Sequence, residues 1–170
     1  WKDQFRAIKA DQLIHAAWDG IGIDKRNNWE MQLKNFYLSK EYFDLAKESG
    51  IRKVIAIGSQ AEYGSNDFSV NENTPERPND AYGAVKTLTA NYLRNLFERT
   101  LTQWYWIRVF SIFGEGENPD WLFPYVISNL LKNKAVKLTL CEQKYNYLYI
   151  DDFLNHLFPI VQSNVNKSGI

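Results

Sequence analysis

From Trp29 to Ser49 the apolar residues Leu33, Phe36, Tyr37, Tyr42, Phe43 and Ala46 recur near a period of 3.6, the pattern of an amphipathic helix. Gly50 supplies its C-terminal stop. Lys53-Val54-Ile55-Ala56-Ile57 follows as a β-branched apolar run, which predicts a short strand buried on both faces. The same order of signals then repeats. A second helix is predicted from an Asp80 N-cap through Leu88, Tyr92, Leu93 and Leu96 to about Arg99. An aromatic and β-branched strand follows from Gln103 to Phe110. Helix followed by buried strand, twice over, predicts an α/β fold with a parallel sheet.

The flanks extend this pattern. Asp11 to Ala17 reads as a short buried strand whose end, Ala16 and Ala17, leaves room for something flat to approach the backbone. His15 at that end reads as a packed residue rather than a ligand. Downstream, Pro119 and Asp120 introduce a helix through Leu131. Strand candidates follow at Ala135–Leu140 and Tyr147–Ile150, and Asp151-Asp152 are expected to cap a helix to about Val161. Between the Lys53–Ile57 strand and the Asp80 helix lies a polar connection from Gly64 to Asp80, far longer than the usual handful of residues and of the kind that often carries function.

Composition narrows the partners. Lys+Arg and Asp+Glu balance at 20 each, which gives no electrostatic reason to expect nucleic acid or an anionic membrane surface. At 170 residues and 45% hydrophobic content the chain is one domain's worth, able to bury a substantial core. A single cysteine, Cys141, excludes an internal disulfide framework and fits a reducing, cytoplasmic setting. With two histidines, His15 and His156, no metal constellation is expected. The chain opens on Trp1 rather than methionine and reads as part of a longer polypeptide.

Candidate chemistry centres on Tyr82 and Lys86, four residues apart and hence one helical turn apart on one face. An ammonium near a phenol favours the phenolate, so Lys86 is expected to lower the Tyr82 pKa and ready it for proton exchange. Such a pair also occurs on solvated helix faces. Ser59 ends the preceding strand, where open α/β sheets bind their ligands, although a turn serine is the plainer reading of that residue alone.

Several segments occur together in one order. They are Gly58-Ser59-Gln60-Ala61-Glu62-Tyr63-Gly64, Tyr82-Gly83-Ala84-Val85-Lys86, Arg108-Val109-Phe110-Ser111-Ile112-Phe113-Gly114 and Tyr147-Leu148-Tyr149-Ile150-Asp151-Asp152. In this the chain resembles the extended short-chain dehydrogenase/reductase family of nucleotide-sugar epimerases, dehydratases and 4-keto reductases, from Ile14 to the Asp151-Asp152 helix. The resemblance implies a partial Rossmann-like, doubly wound parallel sheet. Residues 1–118 would be a partial dinucleotide-binding domain and 119–170 the beginning of a smaller substrate-binding part.

The resemblance also implies roles. Tyr82 would be the acid/base, Lys86 would hold the nicotinamide ribose, and Ser59 would hydrogen-bond the reacting oxygen. Ala16, Ala17, Asn35 and Ile57 would line the NAD or NADP cofactor, with Phe110 and Ile112 beside the nicotinamide. Gln60, Ala61, Ser111, Trp121 and Tyr145 would join Ser59 against a nucleotide-sugar substrate. A cytoplasmic homodimer that binds neither nucleic acid nor membrane is expected.

Two departures narrow this. The family's 4,6-dehydratases carry an acidic pair where this chain has Gln60-Ala61, which disfavours dehydration. Relatives often place a diphosphate-binding arginine where this chain has Tyr145-Asn146-Tyr147. The glycine-rich turn that opens the family's fold does not occur in these residues. The expected activity is therefore an NAD(P)-dependent nucleotide-sugar epimerase or 4-keto reductase. The alternatives are a non-catalytic cofactor-sensing or subunit-binding member, and a reductase of a non-sugar ketone.

Overall fold

The β-branched run after Gly50 lies at the centre of the structure, a computed structural model that describes residues 1–163 and 167–170. Strand β2 (Lys53–Ser59) is buried along almost its whole length. It pairs in parallel with β1 (Gln12–His15) on one side and with β3 (Gln103–Val109) on the other. Parallel neighbours need crossovers, and these are α2 (Trp29–Glu48) and α3 (Ala81–Phe97), which pack against each other. The expected α/β parallel architecture is what forms.

The core lies between this sheet and these two helices. Phe43 and Ala46 from α2, Ala90, Leu93 and Phe97 from α3, and Val54, Ala56, Trp104 and Trp106 from β2 and β3 make one cluster. Phe43, Leu93 and Phe97 are essentially fully buried, each contributing about 1.5–3 kcal/mol of transfer free energy. Gly50 adopts the left-handed conformation (φ 68°) that closes α2, as its sequence position predicts.

Some expectations need correction. β1 is not a buried strand: only His15 is buried in it, and Ile14 is 48% exposed, because β1 pairs on one side only among the described residues. Ala135–Leu140 forms no strand; it finds no pairing partner, and Leu138 and Leu140 are exposed. Asp151 and Asp152 do not cap. Helix α5 (Ile150–Gln162) begins after Tyr149 with no side-chain cap, so the two aspartates sit inside its first turn, where they favour the helix dipole instead. Helix α1 (Lys2–Ala7), a 3-10 turn at Gln60–Glu62 and strand β4 (Ser111–Phe113) were not foreseen.

The chain divides into two compact units. The first is Trp1–Val109 with the C-terminal residues, where Gly169 bridges to β3 by hydrogen bonds to Trp104 and Trp106. The second is Phe110–Ser163. In it β4 pairs in parallel with β5 (Tyr147–Tyr149), and helices α4 (Leu122–Leu131) and α5 bury no side chain fully. Its centre is aromatic: Phe113 stacks on Phe123 at 4.0 Å, and Tyr147 meets Phe123 edge-on at 4.9 Å. No described helix is long and apolar enough to cross a membrane.

Candidate active site

Ser59 is the last residue of β2 and caps the 3-10 turn that follows, its hydroxyl accepting from the Ala61 amide at 3.2 Å. Tyr82 lies in the first turn of α3, whose N-terminus is closed by several partners. Asp80 accepts from the Gly83 amide (2.7 Å), Asn27 from Ala81 (3.0 Å) and the Arg26 carbonyl from Tyr82 (2.9 Å). Gly83 explains how this turn comes so near Ser59. A Cβ there would collide with the Ala61 carbonyl, so only glycine lets α3 approach the 60–62 turn this closely. The Tyr82 and Ser59 side chains thereby come close enough to influence each other, and both are almost wholly buried.

Lys86, one turn further along α3, is also buried, at 4% exposure. Its ammonium donates to the Ile57 carbonyl at 2.7 Å and lies 3.8 Å from the centre of the Trp18 ring and 5.8 Å from that of Tyr82. Burial pulls its pKa down to about 7, against an upward pull from Glu62. The expected lowering of Tyr82 does not occur in this state. Burial raises the phenol above its ordinary value, opposed by the Ser59 side chain and by Arg26, whose guanidinium stands 4.4 Å from the ring centre. Desolvation is the largest influence on both members of the pair. What the geometry offers is a buried phenol beside a serine, with a lysine poised to gain or lose its charge near neutral pH.

The loop after β1 reaches this site under the control of α2. Asn35 clamps Asp19 at both backbone groups (3.0 and 2.9 Å), and Gln32 accepts from the Trp18 indole N–H (2.9 Å). Asn35 therefore sets the loop that lays Trp18 over Lys86. Ala16 and Ala17 are exposed on the way into that loop. His15 is packed, as expected: Nε2 meets the Ser39 hydroxyl at 2.9 Å, and burial with the nearby Lys86 charge lowers its pKa to about 4.

The structure thus brings Ser59, Tyr82, Lys86 and the Ile57 carbonyl together, with Gln60 and Ala61 in the adjoining turn. Phe110, Ser111, Ile112, Trp121 and Tyr145 belong to the second unit. There Ser111 and Ile112 lie on β4, and Trp121 and Tyr145 are exposed, Tyr145 with its ring 5.4 Å from that of Tyr147. Sequence reasoning missed Trp18, Arg26, Glu62 and Arg108. The first two reach the site through long-range loop contacts that leave no periodic trace. Glu62 had a legible signal, since Ser59-Gln60-Ala61-Glu62 has the spacing of a capping box. Arg108 had one too, as a charge inside an aromatic strand needs a partner.

A parallel sheet with a serine at the carboxyl end of one strand and a tyrosine–lysine pair opening the next helix places these side chains where open α/β folds bind their ligands. The family model for the NAD dependent epimerase/dehydratase family matches residues 1–169, and the chain belongs to that family. The chain is 24% identical to CDP-abequose synthase of Yersinia pseudotuberculosis over 165 residues, which span 95% of this chain and 55% of that one. Its fold is similar to UDP-N-acetylglucosamine 4-epimerase from Methanobrevibacter ruminantium in complex with UDP-N-acetylmuramic acid (TM-score 0.82, 23% identity, 95% of this chain and 55% of that one). It is also similar to UDP-glucuronic acid 4-epimerase from Bacillus cereus in complex with UDP-glucuronic acid and NAD (TM-score 0.81, 20% identity, 97% and 53%). The chain thus spans about half the length of these relatives.

Proposed function

We propose that this chain carries the reaction centre of an NAD-dependent enzyme acting on a nucleotide-activated sugar, as an epimerase or a 4-keto reductase. The observation that carries the reading is the clustering of buried Ser59, Tyr82 and Lys86, with Lys86 one turn beyond Tyr82 on α3. In this reading Tyr82 exchanges a proton with the sugar hydroxyl or ketone, and Ser59 hydrogen-bonds the same oxygen. Lys86 holds the nicotinamide ribose, and its positive charge favours the phenolate as Tyr82 gives up its proton. The residues present fit the nicotinamide end of the cofactor: Ala16 and Ala17 are small and exposed beside Lys86's covering loop, and Lys86 has donor capacity beyond the Ile57 carbonyl. When bound, NAD supplies the hydride acceptor and donor.

Relatives with this family's name support the substrate class: the Bacillus cereus structure contains both UDP-glucuronic acid and NAD. Residues 1–118 are assigned to dinucleotide binding and 119–170 to substrate, in a homodimer. Gln60-Ala61 places no carboxylate beside Ser59 for water elimination, which favours epimerisation or reduction over dehydration. The test is to incubate the native protein with NAD or NADH and nucleotide sugars carrying deuterium at C4. An epimerase returns inverted sugar that keeps the label with no net cofactor consumption; a 4-keto reductase consumes NADH with a keto sugar. If no nucleotide sugar is turned over in either format while cofactor or partner binding persists, the non-catalytic alternative replaces this reading.

A further inference from the structure

Glu62 follows Ser59 by three residues, yet its side chain is fully buried. Oε1 accepts from the Ser59 amide (2.7 Å) and the Trp106 indole (2.9 Å), while Oε2 accepts from Trp106 (3.0 Å) and from Arg108 Nε (2.7 Å). Every partner is a donor, so the partners favour a carboxylate, against burial, which raises the Glu62 pKa above the ordinary carboxylate value. Arg108, itself buried, supplies the compensating charge and is shared with Glu76 and the Tyr63 hydroxyl. The Glu62 carbonyl accepts from the Arg77 amide at 3.0 Å, which ties the long 64–80 connection to the same point. Gly58 completes the arrangement, because a Cβ there would collide with the Trp106 indole.

We propose that Glu62, gripped by Trp106 and Arg108, is a positioning residue that holds the Ser59 backbone so that the serine hydroxyl faces Tyr82. This rests on reading Ser59, Tyr82 and Lys86 as the reaction centre. The charged groups around Glu62 are Arg108 from β3, Glu76 from the connection and Lys86 from α3, with Tyr82 also within electrostatic reach. An amide at position 62 turns an N–H₂ toward donors whichever way it is flipped, so Glu62→Gln loosens one side of the grip without changing its size.

The test is a double-mutant cycle in the native protein with its nucleotide sugar and NAD. Glu62→Gln is expected to lower kcat about 100-fold, the scale of a small misplacement, and to leave KM within about threefold. Adding Glu62→Gln to Ser59→Ala is expected to cost nothing further, because Glu62 acts through Ser59. Additive losses, or full turnover in a folded Glu62→Gln protein, overturn the proposal. Should that variant fail to fold, Trp106→Phe removes the indole N–H together with part of the buried ring; its loss of turnover is expected to vanish in the Ser59→Ala background, and a loss that persists there overturns the proposal. Full turnover by Ser59→Ala alone marks failure of the reaction-centre reading instead.

Discussion

Helices α2 and α3 of the first unit each bury a run of side chains, whereas α4 and α5 of the second bury none fully. All four read as helices in sequence. The difference lies in what each helix meets: α2 and α3 cover a three-stranded sheet, while the second unit has only the short pair β4 and β5 and an aromatic cluster. Ser59, Tyr82 and Lys86, the residues proposed to handle the proton, all lie on the well-buried side of this contrast. A reaction centre needs fixed geometry, and the proposed one is set on the elements with the most complete burial.

The largest expected contrast is in core truncation. Phe97→Ala is expected to cost about 3–5 kcal/mol, and Leu130→Ala, at a position 60% exposed, less than about 0.5 kcal/mol, both read by denaturant melts. Equal costs would break the comparison. Acid sharpens it next. His15 is held neutral with a pKa near 4, below the usual 6.5, so the unfolded chain binds the extra proton between those values. Stability is therefore intact above about pH 6.5 and falls as pH drops toward 4, by roughly 3 kcal/mol at most. His15→Gln should flatten that limb.

The last contrast concerns Lys86. Its pKa falls from 10.5 to about 7 on folding, so the unfolded state retains a proton that the folded state releases across that window. Stability should climb with pH through it. Lys86→Met should remove the climb and raise stability at pH 7 by about 1 kcal/mol, since a buried charge is replaced by an apolar side chain. Thermal melts at pH 7 and 9 read both outcomes. A lower melting point for the variant at both pH values would show that the ammonium's contacts to Ile57 and Trp18 outweigh its desolvation.

Much of the first unit was legible because its signals are local. The period of α2, the run in β2, the Asp80 cap and the Gly50 stop each act within a few residues. Ala135–Leu140 misled because strand composition does not supply a pairing partner. Tyr82 and Lys86 were found by their spacing, but their protonation was misjudged, since burial depends on tertiary packing that spacing does not reveal. Trp18 and Arg26 reach the site from a loop held by Gln32, Asn35 and Asp80, contacts with no short-range signature.

The most direct test of the central claim is turnover of a nucleotide sugar by Tyr82→Phe beside the unaltered protein, with melting temperature and NAD binding measured on both. Loss of the phenolic hydroxyl removes the proton-exchanging group, and kcat is expected to fall by about 10³-fold or more with the fold and cofactor binding retained. Undiminished turnover in a folded Tyr82→Phe protein would contradict the account.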